Sequence, residues 1–216
     1  MKKILFIFFL IIVYILIIEY KMDDTYVSKI DLNLKEKEMG ITFINLEDSK
    51  SLLINKEDIF ILVILEYLND NKINEVLKMF GIEKLDYVLM NDEYNMDILV
   101  SNKVINKKKF KVKDISFFNN DNELKISYLN HNFCVYEKIQ EESDKDCKYI
   151  YFLTVDKKIE VDEEVNMVFY DEDTNPDYLE SLYNQWIDIY MIKKEYFVTL
   201  KLDEDNYDTI TIPLNN

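Results

Sequence analysis

The sequence predicts an α/β fold, α+β on coarse counting, in which strands dominate and helices are interleaved. Three observations carry this. Most apolar residues fall in short β-branched or aromatic runs bounded by polar turns. Only two segments keep a helical period, and both carry helix start or stop signals. Nearly half of the 216 residues are hydrophobic, enough for one ordinary domain with a real core.

The elements follow in order. Residues 21–38 are charged and read as a spacer that becomes the first strand from about Ser28. Gly40–Leu46 reads as a strand, Glu47-Asp48-Ser49-Lys50 as a turn, and Ser51–Ile54 and Asp58–Val63 as two further strands. Ile73, Val76, Leu77 and Phe80 fall at i, i+3, i+4 and i+7, with Asp70 as N-cap and Gly81 at C′, which predicts a helix. Leu85–Met90 is then a buried strand. Further strands are expected over 110–118, 124–129, 133–139, 147–155 and 165–170. Asn175, a good N-cap, and Pro176 at N1 open a second helix with the stripe Leu179, Leu182, Tyr183, Trp186 and Ile187. Strands over 189–192, 196–202 and 207–212 close the chain.

The chain holds no Ala and no Arg, two Gly and two Pro, with Ile, Lys, Asn and Tyr in excess, a bias expected of an AT-rich coding background. Arguments from the abundance of those residues therefore carry little weight. The net charge of −16 opposes general nucleic-acid binding, which needs a basic face. The basic cluster Lys107, Lys108, Lys109, Lys111 and Lys113 reads as a solvated turn running into a strand, with a local anion patch as the alternative. With Gly40 and Gly81 alone, no phosphate-cradling loop can form.

Lys2 and Lys3 precede the unbroken apolar run Ile4–Ile18. No small-x-small cleavage pattern follows, so residues 1–20 read as an uncleaved signal anchor with residues 4–18 in the membrane. Basic residues before the run and Asp23 and Asp24 after it place residues 39–216, one domain, on the outer face of the cell membrane. Cleavage and secretion is the alternative. The cysteines, Cys134 and Cys147, flank a polar turn, and an antiparallel hairpin there would set them opposite each other for a disulfide. Two free thiols are the other reading.

The segment Gly40–Ile54, with Ile-Thr-Phe-Ile-Asn-Leu-Glu-Asp-Ser-Lys-Ser-Leu-Leu-Ile, is similar to V-T-F-L-D-V-G-Q-G-D-S-I-L-I, the opening of the metallo-β-lactamase-like domain of ComEC-type competence proteins. Phe80-Gly-Ile-Glu-Lys-Leu-Asp-Tyr-Val-Leu-Met90 resembles its L-G-I-K-K-L-D-Y-L-I-L. Met167–Glu172 stands where that family has a strand ending in T-G-D, and Trp186–Ile192 where it has A-D-V-L-K-V before G-H-H-G-S. The similarity is good over 40–100 and looser over 160–195. It implies a four-layer αβ/βα sandwich of the metallo-β-lactamase type.

The resemblance also implies a lost metal centre. The family's H-x-H-x-D-H, which holds metals that activate water for hydrolysis, falls on Asn91, Glu93, Asn95 and Met96. Glu172 falls on its bridging Asp and Lys194 near its later His. Asn and Met are poor ligands for a hydrolytic metal, and a Lys repels one. No catalytic residue, metal or cofactor is therefore expected, and the six positions are read as vestigial. The implied role is a pseudo-hydrolase that binds or assembles at the cell surface, with a protein partner.

Three other readings bear on the same residues. Asp92, Glu93, Asp97 and Glu172 could form a carboxylate-based metal site of an active phosphodiesterase-like hydrolase, or the first three could hold Ca²⁺ or Mg²⁺. Asp171-x-Asp173-x-Asn175-x-Asp177 begins like a calcium loop, but Pro176 replaces the required Gly and Leu182 the required Glu. An unrelated anchored α+β surface domain is the third. His131 and Cys134 do not make a nucleophile–base pair, because a separation of three puts them on opposite faces of a strand.

Overall fold

The computed structural model describes residues 29–46, 49–66, 70–90, 100–105, 107–120, 123–138, 146–183, 185, 187–194 and 196–214. The apolar run 4–18 and the stretch 91–97 lie outside these residues.

Fourteen strands make two seven-stranded mixed sheets among the described residues. The first has the order β14 (207–213), β13 (196–202), β1 (39–46), β2 (49–56), β3 (59–64), β4 (85–90) and β5 (100–105). The second has the order β12 (188–192), β11 (167–171), β10 (149–154), β9 (131–138), β8 (123–128), β7 (115–119) and β6 (109–112). Central strands are buried on both faces, which is why β1, β2, β10 and β11 read as nearly continuous apolar runs. Edge strands β14, β5 and β6 carry exposed polar residues, which blunt further pairing.

Three apolar cores follow from the two-residue period. Met39, Ile41, Phe43, Leu52, Ile54, Met167 and Phe169 point between the sheets. The Phe43 ring meets Phe133, Tyr151 and Phe169 there, with centroids 5.7, 5.1 and 4.3 Å away. The alternate residues of the first sheet, Ile44, Leu53, Leu62 and Val88, pack under Ile73, Val76 and Leu77 of helix α1 (70–79). Val168, Tyr170 and Cys134 of the second sheet pack under Leu179 and Leu182. The order is helix, sheet, sheet, helix. Gly81 ends α1 at φ +67°, where an added Cβ would meet the Lys29 side chain at 2.8 Å.

Several elements differ from the expectation. No strand occupies 29–38; β1 begins at Met39. The run 110–118 is two strands, because Lys113 takes φ +50° and turns the chain after Val112. Strand β5 is not among the expected elements, since Ser101, Asn102 and Lys103 interrupt the apolar residues of Val100–Ile105, which pairs only at the sheet edge. The second helix is short: a 3₁₀ turn over Pro176–Leu179, capped by Asn175, then α2 (180–183), with Tyr183 turned to solvent.

Strands β9 and β10 are parallel neighbours and do not form the expected hairpin. The chain re-enters β10 beside the start of β9, where Lys148 N–H donates to the Asn132 carbonyl. Cys147 thereby reaches Cys134 on the outer face of the sheet, and the two form a disulfide.

Candidate functional site: a charged cluster at the strand ends

Strands β3, β4 and β5 run parallel to one another, and so do β9 to β12. The crevice outside the carboxyl ends of parallel strands is where sheets of this kind hold ligands. The candidate cluster lies at such ends and joins the two sheets.

Two inward-facing residues form its centre. Lys50, in phase with Leu52 and Ile54 on β2, points between the sheets, and Asp171, in phase with Met167 and Phe169, ends β11. Lys50 Nζ lies 2.6 Å from Asp171 Oδ2. The other carboxylate oxygen, Oδ1, accepts a 2.6 Å hydrogen bond from the Tyr151 hydroxyl. Lys50 Nζ also donates to the Leu153 carbonyl at 3.0 Å and lies 3.3 Å from Glu66 Oε2. The Lys50 carbonyl accepts from the N–H groups of Leu65 and Glu66, which fixes that carboxylate beside the ammonium.

Burial disfavours the Lys50 ammonium, but Asp171 and then Glu66 outweigh it and hold the amine above its usual value, so it stays charged. Burial pushes the Asp171 carboxyl up, and the Lys50 ammonium and Tyr151 hydroxyl pull it back only partly. We take the ion pair as the resting state, since the Lys50 shift keeps the opposite charge within contact. Burial and Asp171 push the Tyr151 hydroxyl well above its ordinary range, which keeps it a donor.

Of the six positions singled out in the sequence, Glu172 and Lys194 follow β11 and β12 and meet at 3.6 Å. Asn91, Glu93, Asn95 and Met96 lie outside the described residues, as do Asp92 and Asp97. His131 is the first residue of β9, roughly 20 Å of strand from that strand's carboxyl end. It is buried between the Tyr149 hydroxyl (2.9 Å) and the Asp203 carbonyl (2.7 Å). In the Asp171–Asp177 series, Asp171 faces Lys50 and Asn175 Oδ1 accepts from Asp177 N–H as a helix cap. Lys113, from the basic cluster, pairs with Glu57 at 2.9 Å.

From sequence Lys50 falls in a turn, and Asp171 appears only as the first position of the calcium-like series, not as the partner of Lys50. The two-residue period held the signal for both: each is in phase with inward-facing apolar residues of its strand.

The described residues do not fit a dinuclear metal centre. Both oxygens of Asp171 face donors, and Glu172 faces a second ammonium. A lysine ammonium in contact with a carboxylate repels a divalent cation at that carboxylate. Glu123, Cys134 and Cys147 also lie close together, but the two sulfurs are bonded to each other and offer no thiolate.

No protein-family profile and no curated protein matches the sequence. Among solved structures, the chain is similar to the metallo-β-lactamase fold protein YhfI from Bacillus subtilis, at 9% identity and a TM-score of 0.50, over 75% of this chain and 99% of that one. A putative zinc-dependent hydrolase of the metallo-β-lactamase superfamily from Thermotoga maritima matches at 10% identity and a TM-score of 0.38, over 73% of this chain and 76% of that one. The strand-rich mixed sheets with few helices are thus consistent with a metallo-β-lactamase-like fold.

Proposed function

We propose that this chain is a non-catalytic metallo-β-lactamase-fold protein that binds or assembles at the cell surface. Residues 4–18 anchor it in the membrane, residues 39–216 lie outside, and its partner is a protein; the ComEC-type resemblance suggests a competence-related setting. The observation that carries the proposal is the Lys50 ammonium, 2.6 Å from Asp171, the buried carboxylate at the end of β11. A side-chain cation already neutralises that carboxylate, so no metal is needed to hold it in the fold. The excess of acidic residues favours a partner with a basic face.

Thermal melting of the full-length protein tests this against the carboxylate-site hydrolase. A ligand that binds only the folded state at a hundred times its Kd adds about 2.7 kcal/mol of stability. Zn²⁺ or Mn²⁺ at saturating micromolar concentration is expected to leave Tm unchanged, and a chelator likewise. A metal-dependent rise in Tm, accompanied by phosphodiester hydrolysis, selects the hydrolase.

A further inference from the structure

Beside the charged cluster, the inter-sheet core does not close. Val63, Leu89, Val104, Phe117, Val135 and Leu153 line a cavity of about 150 Å³. All six are buried members of the core between the sheets. A volume of roughly that size with an apolar inner wall accepts a benzene-sized group. Its exposed side is different: Glu66, Glu123 and Glu137 stand there with Lys107. Glu123 is held in place, since Tyr136 donates to Oε1 at 3.3 Å and the Asn120 side chain caps its N–H at 2.8 Å. Glu137 is exposed at the end of β9. The cavity borders the Lys50 cluster through Glu66 and Leu153, and neither Glu172 nor Lys194, the two described positions of the vestigial centre, lines it.

Lys50 already neutralises Glu66, so an apolar interior behind Glu123, Glu137 and the single ammonium of Lys107 selects a particular ligand chemistry. A neutral hydrocarbon gains only the interior. A carboxylate ligand meets repulsion at the mouth. A hydrocarbon body of about six heavy atoms carrying one ammonium fills the interior and leaves its charge among the carboxylates. We propose that this cavity is a binding site for a small hydrophobic primary amine. The proposal deepens the non-catalytic binding reading and rests on it: the pocket gives the fold a ligand without a metal.

The test compares benzylamine, benzyl alcohol and benzoate, which share one ring and differ in head-group charge. Binding to the full-length protein is followed by calorimetry in the presence of a chelator, and the metal content of the same sample is measured separately. Benzylamine is expected to bind at least tenfold more tightly than benzoate, with benzyl alcohol between. The double substitution Glu123→Gln with Glu137→Gln is expected to weaken benzylamine about tenfold and to leave benzyl alcohol unchanged. Leu153→Phe, which fills the cavity, is expected to abolish both; should it fail to fold, the glutamine pair still decides. Benzyl alcohol binding as tightly as benzylamine, or no saturable binding of any of the three by about 10 mM, overturns the proposal. Amine binding by a protein that also carries stoichiometric metal would overturn the non-catalytic reading and leave the pocket standing.

Discussion

Lys50, near the start of β2, and Asp171, the last residue of β11, belong to different sheets, yet their charged atoms stand 2.6 Å apart. The pair is a polar stitch between the sheets at one end of β2, as Lys56 and Asp114, 2.9 Å apart, are at the other. Its Asp171 end is locked by Tyr151 and its Lys50 end by the Leu153 carbonyl. Removing one partner leaves a buried charge alone, which costs more than the pair contributes. Lys50→Met is expected to destabilise the protein by about 3 kcal/mol, whereas Lys50→Met with Asp171→Leu recovers most of the loss. Urea unfolding with an unchanged m-value checks both.

His131 gives the fold a pH limit. The Asp203 carbonyl can only accept, so Nε2 carries the proton and Nδ1 accepts from the Tyr149 hydroxyl. Burial pushes that hydroxyl up to about 12, so it remains protonated. Burial also holds the imidazole below its ordinary value of 6.5, against a smaller upward pull from the Asp203 carbonyl. The unfolded chain therefore takes up a proton near pH 6.5 that the folded chain refuses. Stability is full above about pH 6.5 and falls as the pH drops towards the lower folded value. His131→Gln is expected to remove this slope below about pH 6.5, read as Tm against pH for the two proteins.

The disulfide closes a short loop on the outer face of the second sheet, with a sequence separation of 13. Loop closure of that length is worth about 3 kcal/mol, mainly through the unfolded state. Both sulfurs are buried, so a reductant should reach them only on opening. The prediction is slow reduction under native conditions, rapid reduction in urea, and a loss of about 3 kcal/mol in the variant with both cysteines replaced by serine.

Three two-residue hairpin turns place Glu57, Lys113 and Leu129 at φ +54°, +50° and +50°. Glycine is favoured at such a first turn position, and a side chain there costs about 1–2 kcal/mol. Leu129 is also 47% exposed, so its side chain gains little from burial. Leu129→Gly is expected to stabilise the protein by about 0.5–1 kcal/mol after the entropy of the unfolded glycine is counted. A higher urea midpoint is the readout.

Much of the architecture was legible because the strands obey a two-residue period and α1 carries both its stripe and its Gly81 stop. The failures have particular causes. Lys113 takes the first position of a two-residue turn, where glycine is favoured, so the β6–β7 break is invisible in 110–118. Strand β5 gains its place from pairing with β4, while Ser101, Asn102 and Lys103 break its apolar run. The parallel arrangement of β9 and β10 is a long-range choice that the short segment between the cysteines does not encode. At the site, polarity was read as loop: Lys50 was assigned to a turn because it is charged, although its phase with Leu52 and Ile54 aims it inward. The resemblance aligns Glu172 with the bridging carboxylate, while the strand phase buries its neighbour Asp171, which the sequence offers only as the head of a calcium-like series.

Lys50 supplies the positive charge at the Asp171 carboxylate that a bound metal would otherwise supply. Metal analysis of full-length protein purified without chelator, in wild-type and Lys50→Ala forms, tests it most directly. The wild type is expected to hold well under one tenth of an equivalent of zinc or manganese. Stoichiometric, chelator-resistant zinc or manganese in the wild type, with Lys50 intact, would contradict it.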